Sequence, residues 1–143
     1  MWQNHNGNLQ SFKKYIECRR LTYFMDSTSK RTILLAEDDF RIVMRAEEAL
    51  EGHNDIKFIV KETREEALAL IQAMGSSLFA AILDNNLKDA SQCAVELALA
   101  ALQAGIRIVA INSYDFDSAD APKGVEIWHK GSTNHHLRKL IQQ

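Results

Sequence analysis

Residues Ala80-Ala81-Ile82-Leu83-Asp84-Asn85-Asn86-Leu87 constrain the fold more than any other stretch of the chain. Four small or aliphatic residues run without interruption into one carboxylate, and two amides follow it. A strand with one wet face alternates apolar and polar residues. A strand buried on both faces, as in a parallel sheet covered by helices, reads as a continuous apolar run. In open α/β sheets, ligands collect just outside the carboxyl ends of the strands. The pattern therefore predicts that Asp84 stands at a site, not on a solvated face.

The rest of the body alternates in the same way. Thr32-Ile33-Leu34-Leu35-Ala36 is a second apolar run and ends in Glu37-Asp38-Asp39. Phe40, Val43, Met44, Ala46, Ala49 and Leu50 recur at helical spacing, and Gly52 closes that helix. Ile56 to Val60 reads as a strand. Thr63 is an N-cap with Glu66 in capping-box position, for a helix running to about Met74 and stopped by Gly75-Ser76-Ser77. An Ala/Leu-rich helix is expected from about Ser91 to Ala104, ending at Gly105. Strands follow at Ile106–Ile111 and Val125–Trp128, and a last helix at Thr133–Ile141. Between the last two strands, Asp115 to Pro122 supplies at most a turn of helix. Strand–helix alternation of this kind predicts an α/β, doubly wound parallel sheet with helices on both faces. No internal repeat or second domain is visible.

At 143 residues the chain is one domain, with 46% apolar and 25% charged residues. Its net charge of −2 is uneven. Residues 1–31 carry six Lys/Arg against two Asp/Glu, whereas the remainder carries eleven against seventeen. Residues 1–31 read as an N-terminal extension, helical or disordered. Phe12, Tyr15 and Ile16 share a helical face flanked by Lys13, Lys14, Arg19 and Arg20 within a segment from Leu9 to about Phe24. That is the pattern of a basic docking or membrane-surface helix, but a frayed or loosely docked tail is the simpler reading. Residues 32–143 are the folded domain. An acidic body argues against direct nucleic-acid binding and favours a divalent cation. No run of 18 apolar residues spans a membrane. Cys18 and Cys93 have no ligand or disulfide spacing, which suits a reducing, cytoplasmic setting. The absence of a Gly-rich phosphate loop and of G-x-G-x-x-G removes P-loop NTPases and dinucleotide enzymes.

In a parallel sheet every carboxyl end points the same way. Glu37 and Asp38, Asp84, Asn112-Ser113 and Lys130 then share one rim. Converging carboxylates repel and raise one another's pKa, and a Mg²⁺ ion held by one to three of them relieves that repulsion. The metal attracts a phosphoryl group. A carboxylate nucleophile in Asp84, a cation in Lys130 and a hydrogen-bond donor beyond strand four complete a phosphoryl-transfer set. Taken alone, the acidic triplet reads first as helix N-terminal acids facing the dipole, and Asp39 is assigned that role. The matching ends of other strands favour a site for Glu37 and Asp38. His129, His135 and His136 lack an acid or Cys at ligand spacing and read as solvated. Trp128 reads as core or partner-facing, and Cys93 as buried packing.

The run Ile33-Leu34-Leu35-Ala36-Glu37-Asp38-Asp39, then Ile82-Leu83-Asp84, then Lys130 near the end, resembles the receiver domain of two-component response regulators. The likeness covers Thr32 to about Ile141. Leu83-Asp84-Asn85-Asn86-Leu87 and Asn112-Ser113-Tyr114-Asp115 further resemble a bacterial branch with Leu-Asp-x-Asn-Leu and Thr-Gly-Tyr motifs. The resemblance implies a flavodoxin-like five-stranded sheet of order 2-1-3-4-5 with a reduced fourth helix. It implies phosphorylation of Asp84 by a histidine kinase or phosphotransfer protein, with Mg²⁺ held by Glu37, Asp38, Asp84 and the backbone carbonyl of Asn86. The domain would be a phosphoacceptor and not an enzyme, with output through a downstream protein target or a phosphate passed to another carrier, since no room is left for an output domain after the last helix. A homodimer is a further expected partner.

Three departures from the family pattern stand out. The switch hydroxyl position falls on Asn112 or, with a one-residue slip, on Ser113. Gly131 replaces the proline after the lysine, so the Lys130–Gly131 bond is expected to be trans. Ile127 sits where the family often carries a switch aromatic. These departures motivate a second reading, a receiver-like protein-binding module that does not switch by phosphorylation. A Mg²⁺-dependent phosphatase with an aspartyl intermediate is a third. Such enzymes usually want a second acid two residues after the nucleophile, where this chain has Asn86.

Overall fold

The structure is a computed structural model and describes residues 30–143. Most of the extension, with its amphipathic segment, lies outside the described residues. Five parallel strands form one sheet in the order β2-β1-β3-β4-β5. In chain order the elements are β1 (Arg31–Ala36), α1 (Phe40–Leu50), β2 (Ile56–Lys61), α2 (Arg64–Met74), β3 (Leu78–Asp84), α3 (Ala94–Gln103), β4 (Ile108–Ser113), β5 (Glu126–His129) and α4 (Thr133–Ile141). Between β4 and β5 there is only a single 3-10 turn, Ser118–Asp120, capped by the Asp117 side chain. The fourth helix is reduced, as expected.

The continuous apolar runs split by parity onto the two faces of the sheet. Ile33, Leu35, Ala80, Ile82 and Ala110 pack with Ala46, Ala49, Leu137 and Leu140, which puts α1 and α4 on one side. Leu34, Ala36, Ala81, Leu83, Val109 and Ile111 pack with Ala67, Ile71, Leu97 and Ala101 of α2 and α3 on the other. Ile33, Leu34, Leu35, Ile82 and Leu83 are fully buried. Each contributes about 1.5–3 kcal/mol of transfer free energy. The two-sided burial inferred from Ala80–Leu83 is therefore correct.

Several boundaries differ from the sequence expectation, each for a local reason. β1 begins at Arg31, whose guanidinium is fixed by Asp55 (3.0 Å) and by the Ile141 carbonyl (2.8 Å), so this residue belongs to the body. α1 buries Ala46, Ala49 and Leu50 as expected, with Val43 packed against them, but Ile42 joins this face in place of Phe40 and Met44. Ile42, Ala46, Ala49 and Leu50 are buried, whereas Phe40 and Met44 are 72% and 43% exposed. α3 starts at Ala94, not Ser91. The preceding residues fold back instead, with Gln92 at φ +51° and the Cys93 N–H donating to the Asn85 carbonyl. β4 is displaced two residues toward the C-terminus. Gly105, at φ +83°, turns the chain out of α3, and the Ile106 N–H is spent on the Ala101 carbonyl. Asn112 and Ser113 are thus the last two residues of the strand, not the loop after it.

Candidate functional site

The sheet register builds the rim. Ala36 pairs with Leu83 and Asp84 with Asn112. Asn112 pairs in turn with Trp128, and Ser113 with His129. One residue beyond these pairs, Glu37 and Lys130 leave the sheet on either side of Asp84. The structure brings Glu37, Asp38 and Asp84 together, with one carboxylate oxygen from each lying within 4.8 Å of the others. Among the described residues this is the one cluster of potential ligands, and the three late histidines form none.

Lys130 closes the cluster. Its Nζ lies 2.9 Å from Asp84 Oδ2 and 3.1 Å from Glu37 Oε2, and it donates to Glu37 Oε1 at 3.3 Å. Glu37 is fully buried, and the side chains of Asp84 and Lys130 are only 5% and 10% exposed. Burial, then the nearby Asp84 charge, pushes the Glu37 carboxyl up to about 7; the Asp39 backbone N–H and the Lys130 ammonium oppose this. Burial pulls the Lys130 ammonium down, but hydrogen bonding and charge from Asp84 and Glu37 outweigh it, and the net shift is upward. The Nζ–Oε2 contact lacks hydrogen-bond alignment, so Glu37 Oε2 is a buried carboxylate oxygen without a donor. Such an oxygen, beside two further carboxylates, fits a hard divalent cation.

The loops hold these groups in place. Asp39, assigned to the helix dipole, caps α1 by accepting from the Arg41 N–H (2.9 Å), while its own N–H donates to Glu37 Oε1 (3.1 Å). The Asn86 N–H donates to Asp84 Oδ1 at 3.3 Å, and its side-chain oxygen accepts from the Gln92 N–H. Asp89 accepts from the Arg64 and Glu65 N–H groups at the start of α2 (2.6 and 3.2 Å) and anchors the loop after β3 to its neighbour. Cys93 is buried, as expected, with Sγ 3.8 Å from the Asp84 carbonyl.

At the end of β4 the two candidates for the switch position part company. Asn112 is fully buried and its side chain meets Thr133, with Thr133 Oγ1 3.1 Å from Asn112 Oδ1. The Ser113 hydroxyl stands at the end of the strand, donates to Asp115 Oδ1 (3.3 Å) and accepts from the Asp115 N–H (3.4 Å). Lys130–Gly131 is trans, and the residues after it form a 3-10 turn, Lys130–Ser132, leading into α4. Tyr114 is exposed, with its ring centroid 5.7 Å from Lys130 Nζ and its edge against His129. Trp128 is core and stacks on His136 at 4.9 Å. Thr133 and Asp89 were not singled out in the sequence. A hydroxyl three residues after Lys130, able to bond back to that carbonyl, was the available signal for Thr133. Asp89 reaches an element 25 residues away and left no local signal.

No family model and no curated protein sequence matches the chain. Solved structures do. A response regulator receiver protein from Sinorhizobium medicae WSM419 superposes with a TM-score of 0.67 at 16% identity, over 81% of this chain and 94% of that one. The Mn²⁺-bound form of response regulator Rcp1 gives 0.60 at 17%, over 77% and 91%. The phosphorylated cyanobacterial phytochrome response regulator RcpA gives 0.60 at 16%, over 79% and 92%. With its strand order and its acidic rim, the chain has the fold of the response regulator receiver domains.

Proposed function

We propose that the protein is a phosphoacceptor signalling switch of the two-component or phosphorelay type. The observation that carries this reading is the bridging of two buried carboxylates, Asp84 and Glu37, by the Lys130 ammonium at the carboxyl rim of the sheet. An Asp84 carboxylate oxygen donates its electron pair to the phosphorus of a phosphohistidine or a small phosphodonor. The bond from phosphorus to the departing nitrogen or oxygen breaks, and that pair leaves with the donor. Lys130 offsets the negative charge that accumulates, and the Ser113 hydroxyl is the rim donor available to the new phosphoryl oxygens. Glu37, Asp38, Asp84 and the Asn86 backbone carbonyl would hold Mg²⁺, which supplies charge neutralisation of the phosphoryl oxygens. The chain takes a phosphoryl group and turns over no substrate of its own.

The donor would be a histidine kinase or phosphotransfer protein in the cytoplasm, and the output a protein contact or a homodimer. Beside Asp84 and Ser113, where the fourth helix is reduced, an open hollow of about 450 Å³ is lined by Asn85, Gln92, Val95, Asp115, Phe116 and Asp117. No helix among the described residues is long and apolar enough to cross a membrane. A binding module that does not switch is the second reading, favoured by the engagement of Asn112 away from the rim. Titration with Mg²⁺ and then beryllofluoride, followed by NMR, separates the two. A saturable shift of the Ser113, Asp84 and Lys130 amides that requires Mg²⁺ supports the switch. Spectra unchanged by beryllofluoride would support the passive module.

A further inference from the structure

We propose that Asn112 and Thr133 form a positioning tie that fixes the Lys130 backbone and aims its ammonium at Asp84 and Glu37. This rests on the phosphoacceptor reading of the site but concerns two residues that take no part in the transfer itself. Thr133 is 1% exposed, and its hydroxyl lies 2.9 Å from the Lys130 carbonyl and 3.1 Å from Asn112 Oδ1. The Thr133 backbone N–H also donates to the Lys130 carbonyl, so two donors of one residue converge on it.

The proton count identifies the direction of the tie. A hydroxyl has one proton, and both of its neighbours, as placed, are acceptors. Meanwhile Asn112 Nδ2 is buried with no partner. Turning the amide by half a revolution exchanges its nitrogen and oxygen, which are nearly the same size, so the surrounding packing is unchanged. The Asn112 Nδ2–H then donates to Thr133 Oγ1, and the Thr133 hydroxyl donates to the Lys130 carbonyl. Each donor in that chain has an acceptor. A β-branched side chain with few rotamers is well suited to hold such a bond to the carbonyl three residues back.

The tie crosses the rim beneath the site. Asn112 is in register with Asp84 on β4, and Thr133 opens α4. With glycine after the lysine, the 3-10 turn needs another restraint on the Lys130 carbonyl, and Thr133 supplies it from both its backbone and its side chain. Asn112 is thus a strut and not the donor that meets the phosphoryl group.

The test uses the full chain, with acetyl phosphate and Mg²⁺ as the probe, in Thr133→Val, Thr133→Ser and Asn112→Leu. Valine keeps the shape of threonine and removes its hydroxyl. It should slow phosphoryl incorporation by about tenfold or more, since misplacement of a charge by an ångström can cost a hundredfold. It should also move the Lys130 carbonyl ¹³C resonance upfield, and serine should restore both. Asn112→Leu cuts the tie from the strand side, should act in the same direction, and replaces Thr133→Val should that variant not fold. Parent-like rates and an unmoved carbonyl resonance in the variants would overturn the tie. Equal slowing in the valine and serine variants would overturn it too, since that marks packing alone. If the parent takes no phosphoryl group, the phosphoacceptor reading fails, and the carbonyl resonance still decides the tie.

Discussion

Lys130 Nζ lies 2.9 Å from Asp84 Oδ2 and 3.1 Å from Glu37 Oε2, so one ammonium serves two carboxylates that are both out of solvent. The charges come from the ends of three strands that are far apart in the sequence. Burying them is costly unless each is paired. The cluster therefore acts as a unit, in which removal of any member is felt by the other two.

Lys130→Met should be strongly destabilising at neutral pH. It leaves Glu37 and Asp84 facing each other without a cation, and breaking a buried pair in this way costs about 3–5 kcal/mol. Urea unfolding at pH 7 and pH 5 checks this. The loss should shrink at pH 5, below the value of about 7 to which the Glu37 carboxyl is raised, because that group is then protonated.

Stability should fall as the pH rises through neutrality. The Glu37 carboxyl titrates at about 7 in the folded protein against an ordinary 4.5. Between these values the folded state binds more protons than the unfolded one, so the stability present below about 4.5 is lost as the pH rises through about 7. The gap corresponds to about 3 kcal/mol. Lys130, whose pKa is raised, stays charged throughout this window. On the proposed metal reading Mg²⁺ would bind the ionised form of Glu37, so it should raise the Tm more at pH 8 than at pH 5. Thermal unfolding with and without Mg²⁺ at the two pH values measures both effects. An equal Mg²⁺ response at both would contradict the metal reading.

Ile82→Ala should cost about 2–5 kcal/mol without altering the rim chemistry, because Ile82 is fully buried in the core between the sheet, α1 and α4. Guanidinium unfolding checks the first part. Retention of the Mg²⁺-induced shifts checks the second.

Gly131→Ala should be mild. An added Cβ would sit 3.0 Å from His129 Nδ1, but that ring is the end of an exposed side chain and can swing aside. The Gly131 N–H bond to Nδ1 is then lost, a loss of about 1 kcal/mol or less. A change in urea midpoint as large as that of Lys130→Met would show that the turn after the lysine is more constrained than this geometry implies.

Much of the fold was legible because its signals are local or periodic. The runs Ile33–Ala36 and Ala80–Leu83 have no polar interruption, which only a two-sided strand explains, and their carboxyl ends placed Glu37, Asp38 and Asp84 on one rim, to which the end of the last strand added Lys130. The inward stripe of α1 was read correctly at Ala46, Ala49 and Leu50 but wrongly extended to Phe40 and Met44. Phe40 and Met44 satisfy helical spacing as well as Ile42 does, and spacing alone cannot say which stripe meets the sheet. The end of β4 was set too early because Asn112 and Ser113 are polar, whereas pairing with β3 and β5 carries the strand through them. The parting of Asn112 toward Thr133 and of Ser113 toward Asp115 depends on side-chain direction at the rim. No sequence period encodes that.

The most direct measurement is the intact mass of the full chain after incubation with acetyl phosphate, with Mg²⁺ or with EDTA, in the parent and in Asp84→Asn. The predicted result is one added phosphoryl group in the parent with Mg²⁺, and none with EDTA or in Asp84→Asn. A phosphoryl group retained in folded Asp84→Asn, or none taken up by the folded parent with Mg²⁺, would contradict the assignment.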